Sequence, residues 1–474
     1  MPTETFRAIR TCLEACPLGK TVFCQIYNPA NRQVQLSSAI RTGLASERAV
    51  IRVDLHKQRV YYAASKHHEA ANTSFNLCET LAMTSVQEQP SPSPRSLDSS
   101  ALRIVNVNTR ATLNDFIRLL WPLYRDDPAW VPPLILDRRM QLAPKNPYFE
   151  HASFSSWVAY RDAKAVGRIS AQVDQLHLEL HRDATGFFGM LESEDNSETF
   201  KALLATAENW LREKGMQRVA GPYNLSINQE LGLLVEGFDT PPMIMMGHAW
   251  PYYAERIEEN GYRKEKDLLA YIIDSDFKHP RAVQAMLTRT KDQIQTRFLQ
   301  KSNFNEELEI IRDLFNDAWS QNWGFIPWTT AEFEHLGKDL KMLVDENLVS
   351  IAEVKGEPAA FMVVLPNINE AIRDLNGRLL PFGWLKLLWR LKVKYPRTAR
   401  IPLMGVRSRY QGSRLGAALA FSVITAVQPY SVKRGLKQIE MSWILEDNKG
   451  MRNILEAIGS RLYKTYRIYG KDLE

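Results

Sequence analysis

The chain has 474 residues, of which 45% are hydrophobic and 24% charged, with a formal net charge of +6. Single cores stop growing near ~250–300 residues, so more than one domain is expected, and the composition excludes a disordered or fibrous protein. The small net charge does not by itself argue for nucleic acid, no stretch reaches the ~18 uninterrupted apolar residues of a membrane span, and MPTETFRAIRTCLEACPLGK lacks the apolar run of a secretory signal.

The expected compartment is therefore the cytoplasm. Residues 1–100 show no sustained period of two or 3.6 and close in SVQEQPSPSPRSLDSS, a linker by composition. They are expected to form a poorly ordered extension, with translation from Met83 as an alternative. Cys12, Cys16, Cys24 and Cys78 all fall here without the C-x-x-C spacing of a zinc site. Free thiols are expected, and no metal.

From Ala101 the pattern turns regular. LRIVNVN alternates like a strand, and TLNDFIRLLWPLY repeats at helical spacing with Thr112 or Asn114 as cap. SSWVAYRD and AVGRISAQVD predict a hairpin through Asp162–Ala165. TGFFGMLES reads as a strand and SETFKALLATAENWLREKG as an amphipathic helix, opened by Ser197 and closed by Gly215. MQRVAGPYN (strand), PYYAERIEENGY (helix) and DLLAYIID (strand) follow. A second round begins with the helices RAVQAMLTRTKDQIQTRFL and NEELEIIRDLFNDAWSQN. The hairpin LVSIAEVKGEPAAFMVVLPN turns at Lys355–Gly356; then come RIPLMGVR, LGAALAFSVITAVQPY, QIEMSWILE, KGMRNILEAIGS and LYKTYRIYGKDL, alternately strand and helix. The repeated order predicts a tandem α+β fold of two units, 101–275 and 276–474, rather than one large sheet.

Chemistry concentrates in MGVRSRYQGSRLGAALAFSVI, residues 404–424. A strand runs into a turn with Gly412 and Gly416, and an apolar helix leaves it. Glycine lets the backbone approach a ligand closely. Unpaired N–H groups at the helix start, with the positive end of its dipole behind them, form a diphosphate cradle. Arg407, Arg409 and Arg414 add positive charge. An ordinary strand–helix turn is the competing reading.

The segment resembles the GNAT superfamily of acyl-CoA N-acyltransferases, whose pyrophosphate loop reads Q/R-x-x-G-x-G/A. Gln411, Gly412, Ser413, Arg414, Leu415 and Gly416 occupy those places, with Arg414 where the pattern has its first glycine; Ala417 follows. The resemblance implies a mixed sheet flanked by helices in each unit, and acetyl-CoA or a longer acyl-CoA as donor. It places Leu403, Met404, Gly405 and Val406 on a strand that splays from its neighbour to hold pantetheine and the thioester oxygen. Asn448 falls where the family opens its next helix, and Gly459 at the expected distance beyond. The implied role of Asn448 is a hydrogen bond to pantetheine or the substrate amine, against the alternative of a helix cap. Leu455 stands where many members carry the tyrosine that protonates the thiolate. Tyr463 is a candidate substitute, or a packed aromatic, and Glu446 a candidate base, or a helix-start carboxylate.

In the first unit TGFFGMLES leads into an acidic turn with Glu192, Glu194 and Asp195, which would repel a diphosphate. It reads as a degenerate unit. GPYNLSINQELGLLVEGFDTPP is expected to line a substrate cleft, with Asn224, Asn228 and Glu230 as candidates. Eleven Lys/Arg and one acidic residue lie between Arg373 and Arg414. Residues 376–396, with LLPFGWLKLLWRLKVKYP, are expected to form the solvated face of a core helix, an interfacial helix on anionic lipid, or a docking patch for acyl carrier protein. No nucleic-acid partner is expected.

The predicted activity is transfer of an acyl group from a CoA-type thioester to a small-molecule or peptide amine by the second unit. The alternatives are a silent binder of acyl thioesters or lipid headgroups, and a peptide-directed aminoacyl transferase with charged tRNA as donor.

Overall fold

The computed structural model describes residues 101–474 except Met342, together with the backbone of four strands between 34 and 76. Those strands, Val34–Thr42 (β1), Ala45–Asp54 (β2), Arg59–Ala64 (β3) and Phe75–Asn76 (β4), form an antiparallel sheet within a unit spanning Met1–Arg95. The expected Pro/Ser linker and the four cysteines lie outside the described residues.

The second unit, Ser96–Glu474, holds two repeats. The first comprises β5 (Arg103–Asn106), α1 (Arg110–Arg118), α2 (Leu120–Leu123), α3 (Ile135–Gln141), β6 (Ala152–Arg161), β7 (Lys164–Asp174), α4 (Gln175–His181), β8 (Thr185–Ser193) and α5 (Ser197–Glu213). It continues through β9 (Arg218–Gly221), β10 (Tyr223–Asn224), β11 (Glu230–Leu231), β12 (Leu233–Glu236), α6 (Tyr252–Glu258) and β13 (Arg263–Asp274). The second begins with α7 (Arg281–Thr290), β14 (Ile294–Phe298), α8 (Phe304–Trp319), α9 (Thr330–Leu340), β15 (Val349–Val354) and β16 (Glu357–Pro366). After it come α10 (Ile368–Ile372), α11 (Gly383–Lys392), β17 (Thr398–Val406), α12 (Arg414–Lys433), β18 (Gln438–Leu445), α13 (Lys449–Ala457) and β19 (Arg461–Asp472).

Local chemistry accounts for the elements. Asp162 and Ala163 both carry positive φ between β6 and β7, as do Lys355 and Gly356 between β15 and β16, the geometry that two-residue hairpin turns require. On α5 Phe200, Leu203, Leu204, Ala207 and Leu211 recur at helical spacing and are buried. Its cap is Asn196 rather than Ser197: the Asn196 side chain accepts from Thr199 N. Likewise α1 is capped by Thr109 in a capping box, with Thr112 as the inner partner. The twenty-residue α12 is apolar enough to cross a membrane by length and composition, yet it buries Ala418, Leu419, Val423 and Val427 and packs on β15 and β16.

Each repeat has an antiparallel meander followed by one parallel pair, β8 with β9 and β17 with β18. The two meanders are expected to belong to separate sheets. Instead one sheet of 13 strands runs β14-β15-β16-β17-β18-β13-β19-β9-β8-β7-β6-β5, with β12 also on β19. The repeats exchange last strands: β13 inserts between β18 and β19, and β19 reaches β9. The exchange gives each last strand a neighbour on both sides, so neither repeat is left with an open sheet edge at the junction. Tyr466, Ile468 and Tyr469 of β19 are fully buried there.

Residues 276–474 expressed alone lack β13, which would strip β18 and β19 of a shared neighbour. They are expected to be insoluble or molten, and co-expression with residues 96–275 to restore a soluble complex. Size-exclusion chromatography with near-UV circular dichroism would check this; a cooperatively folded isolated half would show that the exchange is dispensable.

Candidate functional site

β17 and β18 pair only from Thr398–Ile401 and Gln438–Met441, yet run on to Val406 and Leu445. Pro402, immediately after the last pair, has no N–H to continue the ladder. The strands separate, and the wedge opens a cavity of about 460 Å³ walled by α8, α12 and α13. Its lining among the described residues includes no Asp, Glu, His, Lys, Arg or Tyr. An uncharged, flexible ligand gains by burial there, about 0.8 kcal/mol per CH₂.

Met404 and Val406 supply the backbone groups that face the wedge. The Arg407 amide bonds to Ala359 O across the β16 side at 2.8 Å, so alternate residues point away from β16. The carbonyls of Met404 and Val406 accept from Trp319 Nε1 at 3.0 Å and Gln411 Nε2 at 2.8 Å. Their N–H groups project to the same side. Met404, Gly405 and Val406 line the cavity, whereas Leu403 lines a smaller one of about 50 Å³ on the opposite face.

The mouth is the turn between β17 and α12. Gln411 braces it, its amide nitrogen reaching Ala318 O and Val406 O, both at 2.8 Å. Gly412 has φ +70 with open space around it, while a Cβ on Gly416 would collide with the Tyr410 carbonyl. The two glycines thus serve different needs, a left-handed backbone and a close approach. Ser413 caps α12 by accepting from Gly416 N at 3.0 Å, and Ala417 N bonds to Ser413 O at 3.1 Å. The amides of Gly412, Arg414 and Leu415 have no partner among the described residues. The expected arginine trio is reduced to one. Arg407 pairs with Asp313, Arg409 with Glu357 at 2.6 Å, and Arg414 is exposed without an ion pair among the described residues.

Beside the wedge lies a buried polar cluster that sequence reasoning missed. Arg400 and Glu440 face each other across the parallel pair, their nearest atoms 3.6 Å apart, and Glu440 is 0% exposed. Arg400 Nε donates to Ser442 Oγ at 2.7 Å and Nη1 to Ile244 O at 3.0 Å. Ser442, which lines the cavity, donates in turn from its Oγ to Glu440. The available signal was an Arg and a Glu isolated within apolar strand runs, since such residues are rarely buried unless paired. Trp319 and Trp443, edge to face at 5.3 Å, line both this cavity and the 50 Å³ one.

The predicted catalytic residues are placed differently from expectation. Glu446 is outside the cavity lining, held by Lys264 Nζ at 2.7 Å and by the Asp267 amide at 3.1 Å, because the end of β18 lies against β13. Tyr463 is also outside the lining and donates to Glu440; burial, then that carboxylate, push its hydroxyl far above the usual tyrosine range. Asn448 does line the cavity, with its Oδ1 capping α13 at Met451 N, 3.0 Å away. Leu455 is buried and lines it too.

The first repeat opens the same wedge, since β8 and β9 pair only from Thr185–Phe187, and fills it with its own chain. Gln172 Nε2 donates to Tyr223 O at 2.7 Å, Met190 N to Asn224 Oδ1 at 2.7 Å, and a Cβ on Gly189 would strike Tyr223 O. Glu192 belongs to β8 rather than to an exposed turn. It accepts from Tyr124 at 2.6 Å and Tyr253 at 2.9 Å, and burial raises its carboxyl. The three predicted substrate residues separate. Asn224 and Glu230, which pairs with Arg138, line a cavity of about 120 Å³ in the first repeat. Asn228 lines the 50 Å³ cavity and donates to Ile326 O at 3.1 Å.

Two stability effects follow from the buried charges. Arg400→Met leaves Glu440 an uncompensated buried carboxylate, so a loss of about 3–5 kcal/mol is expected by chemical denaturation. Lys464 Nζ donates to Gly237 O and Thr240 O, and burial lowers it from 10.5 to about 8. Between those values the unfolded chain binds the extra proton, so this group makes stability rise with pH through that window. Lys464→Met should flatten the rise between pH 8 and 10; an unchanged slope would assign it elsewhere.

No family model matches the sequence. Protein YghO of Escherichia coli (strain K12) is 48% identical over 362 residues, 76% of this chain and 93% of that protein. The bacterial ceramide synthase of Caulobacter vibrioides (strain NA1000 / CB15N) is 46% identical over 375 residues, 78% of this chain and 98% of that protein. Among solved structures, a tandem GNAT protein from the clavulanic acid biosynthesis pathway aligns with a TM-score of 0.48 and 13% identity, covering 79% of this chain and 99% of that one. A GCN5-related N-acetyltransferase from Sphaerobacter thermophilus aligns at 0.44 and 12%, covering 80% and 96%. In its own strand order, opened parallel pairs and glycine turn, the fold is a tandem GNAT arrangement, and by sequence identity over most of its length the chain belongs to the family of protein YghO and the bacterial ceramide synthase.

Proposed function

We propose that the second repeat is an N-acyltransferase that moves a fatty acyl group from a CoA-type thioester to the amine of a long-chain amino alcohol, forming a ceramide-type amide. The observation that carries this reading is the open β17–β18 wedge: an uncharged cavity of about 460 Å³ with unpaired amides at its mouth. The amide chemistry is supported by the name of the Caulobacter relative. The closed wedge of the first repeat supports assigning turnover to the second.

In this reading the amides of Gly412, Arg414 and Leu415, the positive end of α12 and the Arg414 guanidinium hold the diphosphate. The pantetheine and acyl chain lie along the uncharged walls. The Met404 and Val406 amides face the thioester oxygen and stabilise it as the amine attacks the carbonyl carbon. The C–N bond forms, the C–S bond breaks, and the amine proton passes through Ser442 Oγ to Glu440. The departing thiolate finally takes up one proton. Asn448 orients the pantetheine or the amine with its Nδ2, which has no partner among the described residues.

The test supplies palmitoyl-CoA or palmitoyl-acyl carrier protein with a saturated 2-amino-1,3-diol, following free thiol and the amide by mass spectrometry. Amide formation is expected, and the better donor identifies the carrier. Tight donor binding without amide from any amine would mark a silent binder and sink the reading. Arg414→Ala, whose side chain has no ion pair among the described residues, should weaken CoA binding roughly tenfold or more at unchanged melting temperature. Gly412→Asp should abolish it with the fold kept and only a small drop in melting temperature, because open space surrounds that residue and Asp is among the side chains that tolerate its left-handed φ of +70. Gly416→Asp is not a clean probe, since its Cβ would strike Tyr410 O.

A further inference from the structure

The segment joining α10 to β17 has the most concentrated apolar surface of the described residues. Of twelve exposed large hydrophobic side chains, seven lie between Leu380 and Val393. Leu380 and Phe382, 78% and 73% exposed, precede α11. Trp384, Leu385, Leu388 and Trp389 then recur at helical spacing on one face of α11 and are exposed. One edge of that face is anchored: Leu391, one turn beyond Leu388, is buried, and Leu387 packs against the cluster of Val131, Ile372 and Leu375. A helix whose wide apolar sector is covered along one edge only presents an apolar surface to something other than water.

The neighbourhood extends the patch and supplies its charge. Ile135 N bonds to Gly377 O at 3.0 Å, holding α3 against the loop before α11. On α3 Leu136 and Met140, one turn apart, are exposed as well. From Arg373 to Arg397 there are seven Lys/Arg against the single acid Asp374, an excess equal to the formal net charge of the whole chain. Asp374 pairs with Lys386 and Arg390, which leaves Arg378 and Lys394 exposed at either end of the apolar face.

We propose that this face docks on an anionic lipid bilayer. Leu380, Phe382, Trp384, Leu388 and Trp389 enter the headgroup–acyl boundary, where indole rings are favoured. Arg378 and Lys394 keep their heads among anionic lipid headgroups. An acidic carrier protein would match the charge but leave the aromatic face without an apolar counterpart. The inference rests on surface chemistry alone and is independent of the reaction assigned to the wedge. If both hold, five residues after α11 the chain enters β17, the strand that opens the wedge.

The test is flotation of the full chain with phosphatidylcholine vesicles containing or lacking phosphatidylglycerol. Co-flotation with the anionic vesicles is expected, at least tenfold stronger than with phosphatidylcholine alone and weakened by salt. The double variant W384E/W389E should lose it at an unchanged melting temperature, and R378E/K394E should lose the preference for anionic lipid. Activity on a short-chain thioester and a water-soluble amine should survive W384E/W389E, which separates failed docking from a wrong reaction. Protein that stays unbound with anionic vesicles overturns the proposal, as does flotation of W384E/W389E equal to the parent. A dimer dissociated by W384E/W389E, or capture of acyl carrier protein without vesicle binding, would equally overturn it.

Discussion

The functional architecture depends on one interruption in a hydrogen-bond ladder. The parallel pairing of β17 and β18 stops after Ile401 and Met441, and the strands diverge over their remaining residues. Divergence does three things together. It opens an uncharged cavity, it turns the backbone groups of Met404 and Val406 toward that cavity, and it aims the start of α12 at its mouth. Main-chain groups held by a sheet are rigid, which suits the alignment and oxyanion stabilisation that the proposed reaction needs.

Holding two strands apart requires support from outside the pair. Trp319 and Gln411 occupy the carbonyls of Met404 and Val406, and Gln411 also ties the turn to the end of α8. Where the strands are still joined, Arg400, Glu440 and Ser442 form a buried polar knot at the floor of the wedge. Breaking one partner of such a knot is costly because the other remains buried and charged. Tyr463 approaches that knot from β19, the strand lying next to β13 and β9, so the strand exchange supports the floor of the wedge as well as the sheet.

The two repeats show how one backbone plan yields opposite outcomes. Both have a meander, a parallel pair that opens, and a helix leaving the strand end. In the first, Tyr223–Leu225 occupies the gap, held by Gln172 and Met190, and Gly189 leaves the room the intruding carbonyl needs. In the second the gap stays open as the cavity of about 460 Å³. The first repeat instead contributes β13 to the joint sheet and Asn228 to the small cavity beside Trp319 and Trp443.

The sequence by itself determined most of the elements, their repeated order and the location of the glycine turn, because helical and strand periodicity, caps and positive-φ glycines are local properties; it read RAVQAMLTRTKDQIQTRFL as one helix, where the chain leaves α7 at Thr290 and pairs Ile294–Phe298 with β15. The GNAT resemblance was legible from Gln411, Gly412, Gly416 and Asn448 in that order, and the tandem arrangement from the repeated order of the elements. Only the tertiary structure decided which partner each last strand takes: alternation in LYKTYRIYG is the same beside β9 as beside β18. It also decided the fate of each charge. Glu446 and Arg409 read as site residues in one dimension, but Lys264 and Glu357, distant in sequence, neutralise them. Glu440 and Arg400 looked like ordinary strand positions until pairing brought them face to face in the interior. Long-range electrostatics and strand partners depend on contacts between residues far apart along the chain, and no local pattern encodes them.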